Sequence, residues 1–148
     1  MKIRFALAVA ASLAAFPAVA QVTVSDAWVR STVPAQKATG AFMKVKSDSE
    51  AKLVSAASPV AKVVEVHEMS MKDNVMQMRA VDSLALPAGK TVELKPGGYH
   101  MMLMDLKQQM KEGEVVPVTL VVESGGKRET VEVKAMVRAA TASGDMKK

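Results

Sequence analysis

Cysteine is absent from the 148 residues, and this absence excludes several kinds of structure and site. The chain cannot form disulfide bonds, so its fold must be held by a hydrophobic core and by hydrogen bonds. It has no thiol nucleophile, and it cannot build a blue-copper site, which needs one cysteine beside two histidines. Any sulfur ligand for a soft metal ion must therefore come from methionine, whose thioether does not form disulfides.

Aromatic residues are also scarce, with one tryptophan, one tyrosine and three phenylalanines. Twenty lysines and arginines against fifteen aspartates and glutamates give a formal net charge of +5, which is spread thinly along the chain. Because few aromatic rings are present to stack on bases, nucleic-acid binding is not expected. Phosphate-binding glycine loops and the serine motif of a nucleophile elbow are missing as well, so the chain is not expected to be an enzyme.

The one long apolar segment lies at the N-terminus. Lys2 and Arg4 precede the apolar run 5–15, and Ala18-Val19-Ala20 matches a small-x-small cleavage site. The run is shorter than the roughly 20 apolar residues that a membrane-spanning helix needs. Residues 1–20 are therefore predicted to be a secretory signal peptide that is cleaved after Ala20, which places the mature protein in the periplasm.

The rest of the chain is predicted to be a single domain, 21–137, followed by a disordered tail, 138–148. Short runs in which apolar and polar residues alternate, separated by Pro, Gly, Asp and Asn, are typical of an all-β antiparallel sandwich or barrel. A helical turn is a candidate at 105–112, and no second segment is long enough to insert into a membrane. Strands are predicted at 22–30, 38–47, 52–57, 61–71, 75–81, 90–95, 99–104, 114–124 and 127–137.

Methionine is abundant, and its distribution is uneven. Of the twelve methionines, eight lie in the window that also holds both histidines: Met69, Met71, Met76, Met78, Met101, Met102, Met104 and Met110. Imidazole nitrogen with thioether sulfur is a soft ligand set that suits Cu(I) better than the other common biological metals. The chain is therefore interpreted as a copper-handling protein.

His100 and Met102 are two residues apart in a predicted strand, so their side chains leave the same face and can chelate one ion. If Asp73-Asn74 form a two-residue hairpin loop, Met69 lies opposite Met78, and His67 lies diagonal to Met78. A hairpin could thus supply His67 and Met78, while a neighbouring strand supplies His100 and Met102.

The alternation around Met78 is equally typical of a packing residue, so periodicity alone leaves its role open between ligand and core. Met71, Met76, Met101 and Met104 are predicted to be packing residues or a soft outer shell around the site. Glu68 lies beside His67, but adjacent strand residues face opposite ways, which argues against its hydrogen bonding to that histidine.

Three segments carry a resemblance to a known family: His67-Glu68-Met69, the run 75–79, and the run 95–104. They resemble the PCuAC family of periplasmic copper chaperones, whose pattern is H-x10-M-x21-H-x-M, and the resemblance extends over residues 22–137. It implies a cupredoxin-like, immunoglobulin-like β-sandwich. It also implies that one Cu(I) per chain is held by His67, Met78, His100 and Met102.

The resemblance further implies a monomeric chaperone that carries Cu(I) to cytochrome c oxidase subunit II, a Sco-type thiol protein, or both. Thioethers and imidazoles bind Cu(I) less avidly than thiolates, so transfer to a thiol acceptor is favourable. One alternative is a periplasmic copper buffer or resistance protein without a dedicated acceptor. Another is a metal-free adhesion or assembly module whose methionines are core residues, although packing does not require the spacing of His100 and Met102.

Overall fold

The computed structural model describes residues 21–139, and within this range the chain forms ten strands and no helix. The predicted signal peptide and all but the first two residues of the predicted tail lie outside the described residues. The strands are β1 (Val22–Arg30), β2 (Ala38–Ser47), β3 (Ala51–Ala57), β4 (Ala61–Lys72), β5 (Val75–Ala80), β6 (Leu84–Leu86), β7 (Thr91–Leu94), β8 (Tyr99–Leu106), β9 (Val115–Ser124) and β10 (Lys127–Arg138).

The strands are joined in the order β5-β4-β8-β2-β1-β10-β9-β3-β6, and β7 pairs with β2. Every pair is antiparallel except β1 with β10. The continuous sheet folds over one hydrophobic core, to which the strands on both sides of β1 contribute. This architecture confirms the predicted all-β sandwich. Residues 21–139 contain no helix, and therefore none that could cross a membrane.

The core follows from strict alternation along the strands. In β9, Val116, Val118, Leu120 and Val122 are buried, while the residues between them are more exposed. On the other side of the core, β8 buries Met101 and Leu103 completely. Because side chains alternate between the two faces of a strand, the residues next to Met101 and Leu103 must lie on the outer face of this part of the sheet.

β7 and β8 lie end to end along the same edge of β2. Met43 to Lys46 pair with β7, and Ala38 to Ala41 pair with β8. Between the two strands, the chain leaves β2 in a tight turn at 95–98, in which the Gly98 amide donates to the Lys95 carbonyl at 3.1 Å. The turn returns the chain to the sheet at Tyr99, immediately before His100.

The expectation of a helical turn at 105–112 is wrong. β8 continues to Leu106, and the following segment makes its backbone hydrogen bonds to other parts of the chain. The Lys107 amide donates to the Val60 carbonyl, and Met110 exchanges hydrogen bonds with Thr32. Met110 is completely buried, so contacts with distant parts of the chain determine the path of this segment, where local propensity alone would allow a helical turn.

Candidate metal centre

The hairpin formed by β4 and β5 places the first two candidate ligands. Asp73 and Asn74 have φ angles of 51° and 61°, as a two-residue type I′ turn requires. The register that follows puts Met69 directly opposite Met78. It also puts His67 opposite Ala80, and therefore diagonal to Met78, as the sequence predicted.

The neighbouring strand β8 places the other two candidate ligands. His100 pairs directly with His67, and their ring centroids are 6.0 Å apart. Met102 follows two residues later on the same face, opposite Glu65 of β4. The four predicted ligands therefore lie on one face of three adjacent strands, β5, β4 and β8.

Three of the four open into one cavity of about 300 Å³. Its wall includes Met78, His100 and Met102, together with Met69 and the turn residues Pro96 and Gly97. His67 is not part of the cavity wall, but its ring lies against that of His100. The structure thus gathers the predicted residues at a single place, with the hairpin on one side and the 95–98 turn on the other.

A glycine shapes the far side of this cavity. Gly40 of β2 pairs with Met102, and a Cβ atom at this position would lie only 2.9 Å from Cζ of Phe42. The missing side chain therefore lets the Phe42 ring lie over the strand, where it stacks on Trp28 with a centroid distance of 4.5 Å. Trp28 is buried and is not part of the cavity wall.

His100 is oriented by the turn that precedes it. Its Nδ1 lies 3.0 Å from the Gly98 carbonyl oxygen, which can only accept a hydrogen bond. Nδ1 of the neutral ring must therefore carry the proton and donate, which leaves the lone pair on Nε2. A metal-ligating histidine commonly donates its other ring N–H to a backbone carbonyl in this way.

His67 is oriented by a carboxylate. Its Nε2 lies 3.0 Å from Oε2 of Glu65, while its Nδ1 is buried and has no hydrogen-bond partner within residues 21–139. With Nε2–H donating to the carboxylate, the neutral ring keeps its lone pair on Nδ1. Leaving a buried polar atom unpaired costs about 1–3 kcal/mol, and a bound cation would satisfy it.

Glu65 was missed at the level of the sequence, where only Glu68 was weighed as a partner for His67. The signal was available, because residues two apart on a strand share a face and Glu65 precedes His67 by two. Glu68 lies on the opposite face and forms an ion pair with Arg79 at 3.2 Å. The argument from alternation against Glu68 is confirmed.

The methionines of the window range from completely buried to exposed. Met101 and Met110 are completely buried and serve the core. Met78, in contrast, is 50% exposed on a strand whose six residues are all exposed, so packing does not explain it. Methionine at this position is free to move, and three rotatable bonds let its sulfur reach a neighbouring ion.

A positive group borders the cavity. The Arg30 guanidinium carbon lies 5.4 Å from the centroid of the Phe42 ring, and Arg30 Nε is buried without a hydrogen-bond partner in the described part of the chain. On the other side of the site, the Glu65 carboxylate lies 3.0 Å from His67 Nε2, so the candidate ligands have one cationic and one anionic neighbour.

Sequence comparison gives a family match over residues 22–137, to the model described as "Putative lipoprotein LpqE-like". A curated relative, "Putative lipoprotein Lxx21020" of Leifsonia xyli subsp. xyli (strain CTCB07), is 36% identical over 100 residues. The alignment covers 67% of this chain and 60% of that relative, so the chain spans less than two thirds of its length.

Structural comparison finds copper-binding domains. The copper-bound PCuAC domain from PmoF2 superposes with a TM-score of 0.66 and 25% identity, covering 82% of this chain and 96% of that domain. The apo form of the PmoF2 domain gives a TM-score of 0.67 and 26% identity, covering 85% of this chain and 96% of that domain. The solution structure of CuI-DR1885 from Deinococcus radiodurans gives a TM-score of 0.60 and 33% identity, covering 91% of this chain and 87% of that protein. The chain therefore belongs to the LpqE-like family, and its domain is of the PCuAC type.

Proposed function

We propose that this protein is a copper metallochaperone that binds one Cu(I) through His67, Met78, His100 and Met102. The observation that carries the proposal is the arrangement of His67 and His100, which pair directly across β4 and β8. Nε2 of His67 is hydrogen-bonded to Glu65, and Nδ1 of His100 is hydrogen-bonded to the Gly98 carbonyl. Each neutral ring keeps one nitrogen lone pair, and the thioethers of Met78 and Met102 line the adjacent cavity. The copper-bound relatives of the same fold support the choice of metal.

Each ligand has a distinct part in this proposal. The two imidazoles are held by their hydrogen bonds and provide the fixed side of the site. Met102 follows from the same strand as His100, and Met78 closes the site from the exposed hairpin. Since β5 is exposed along its whole length, the Met78 sulfur can leave the ion without disturbing the core.

Release follows from the same chemistry. The cavity is bordered by exposed residues, so an acceptor can approach the ion directly. Thiolates bind Cu(I) more avidly than thioethers and imidazoles, so transfer to a thiol-bearing acceptor is favourable. We propose cytochrome c oxidase subunit II and a Sco-type thiol protein as acceptors of this kind, and a monomeric, non-enzymatic carrier as the donor.

The proposed location is the periplasm. It is supported by the predicted signal peptide, cleaved after Ala20, and by relatives whose names describe lipoproteins. The lipoprotein description remains that of the relatives, since the 148 residues here contain no cysteine.

Removing a ligand should abolish tight binding. In an anaerobic Cu(I) titration against a chromophoric chelator, we expect one tight equivalent for the mature protein. His100→Ala and Met102→Ala should each weaken it by more than about 100-fold, beyond the loss typical of an outer hydrogen-bond partner. Met136→Ala is the control, because Met136 is a strand methionine that lies on β10, away from the candidate ligands. Equal affinity in all four proteins would contradict the assigned ligands.

Glu65 should matter although it does not touch the ion. Glu65→Gln removes the carboxylate that accepts from His67 Nε2, so we expect Cu(I) affinity to fall about 10- to 100-fold. Glu68→Gln is the control, because Glu68 is adjacent to His67 in the sequence but lies on the opposite face of β4 and pairs with Arg79. If both variants bind Cu(I) as the native protein does, the orientation of His67 by Glu65 has no part in binding.

Delivery is distinguished from sequestration by the kinetics of transfer. When the Cu(I)-loaded protein is mixed with a dithiol acceptor domain, a chaperone should transfer copper faster than the ion dissociates into a chelator. The rate should also rise with acceptor concentration, because the acceptor enters the coordination sphere before release. A transfer rate equal to free dissociation at every acceptor concentration would favour the copper buffer.

A further inference from the structure

The hairpin carries a second methionine pair beyond the proposed site. Met71 pairs directly with Met76, one step farther from the core than Met69 with Met78. Paired residues of an antiparallel ladder lie on the same face, so the four thioethers form two successive rungs. We call these four residues the methionine ladder. Its inner rung belongs to the cavity wall, and its outer rung does not.

The outer rung faces solvent. Met71 is 68% exposed and Met76 is 56% exposed. β8 pairs with β4 only as far as Glu68, so no third strand continues beside the outer rung. The reverse face of the hairpin is polar at this point, where Ser70 pairs with Gln77. The outer rung is therefore an exposed pair of apolar side chains on a protruding two-stranded ribbon.

Packing and strand propensity do not explain methionine at these two positions. A residue more than half exposed contributes little to a core, and exposed strand positions favour β-branched residues such as Val and Thr. What methionine offers that those residues lack is a thioether, a ligand for soft metal ions. The occurrence of two thioethers opposite each other points to a ligand shared between them.

We propose that Met71 and Met76 form a second, outer Cu(I) site, weaker than the inner site and continuous with it. This inference rests on the proposed function in taking copper as the cargo. Directly opposed residues have Cβ atoms about 4.5–5.5 Å apart, so both flexible side chains can place their sulfur on one ion. No protein group is oxidised or reduced, and only ligands are exchanged.

The position of the outer rung gives it a role in transfer. Two neutral thioethers leave the remaining coordination positions of Cu(I) open to a donor or acceptor ligand. An ion held there needs to move only one rung to reach Met69 and Met78 at the cavity. The outer rung is thus the place where copper enters and leaves, while the histidines retain it inside.

The test follows each methionine separately. The protein is labelled with ¹³C at the methionine methyl groups and titrated anaerobically with Cu(I). The first equivalent should shift the methyl signals of Met78 and Met102, and further Cu(I) should shift those of Met71 and Met76. The apparent dissociation constant from the Met71 and Met76 signals should be at least about tenfold lower than any obtained from the Met136 signal.

Two variants decide the outcome. Met71→Leu/Met76→Leu keeps apolar side chains on the ribbon but removes both sulfurs, so the second binding step should disappear and the first should remain. Met136→Leu is the control and should retain both steps. If the double variant keeps the second step, or if Met71 and Met76 respond no more strongly than Met136, the outer site does not exist.

The same titration separates this inference from the proposed function. Failure of the first equivalent to move the signals of Met78 and Met102 contradicts the inner site, whatever happens on the ribbon. A normal first step without any response of Met71 and Met76 contradicts only the outer site.

Discussion

The register between β4 and β8 is the constraint on which the candidate site depends. It is set from the core side, where Val66 pairs with Met101 and both are buried. Because strand side chains alternate, burying those residues forces His67 and His100 onto the outer face, directly opposite each other. A slip of one residue would exchange the two faces. The hydrophobic core and the candidate metal centre are therefore two consequences of the same pairing.

Local hydrogen bonds then convert this placement into ligand chemistry. Gly98 and Glu65 each hydrogen-bond one ring nitrogen, which orients both imidazoles and leaves the other nitrogen of each ring for a metal ion. The sulfur side of the site is built differently, since the exposed ribbon imposes little on Met78. A rigid nitrogen side and a mobile sulfur side together suit an ion that must be retained and then released.

Much of this was accessible from the sequence, and the exceptions have physical reasons. The strand pattern and the turn at Asp73-Asn74 follow from period-two alternation and turn chemistry, which are local. β6 was missed, because three residues are too few to show a period. The segment 105–112 was misassigned, because contacts with Thr32 and Val60, distant in sequence, determine its conformation. The exposure of Met78 was also undetermined, since alternation does not distinguish an edge ribbon from a strand in the core.

The central claim is that two imidazoles and two thioethers share a single Cu(I). X-ray absorption spectroscopy of the anaerobic protein loaded with one equivalent of Cu(I) tests it most directly. The account predicts one ligand shell of two nitrogens with imidazole outer-shell scattering, and another of two sulfurs. Both nitrogens should come from His67 and His100, so each single histidine variant should lose one imidazole. A spectrum with sulfur ligands alone, or with nitrogen and oxygen ligands alone, would contradict the account.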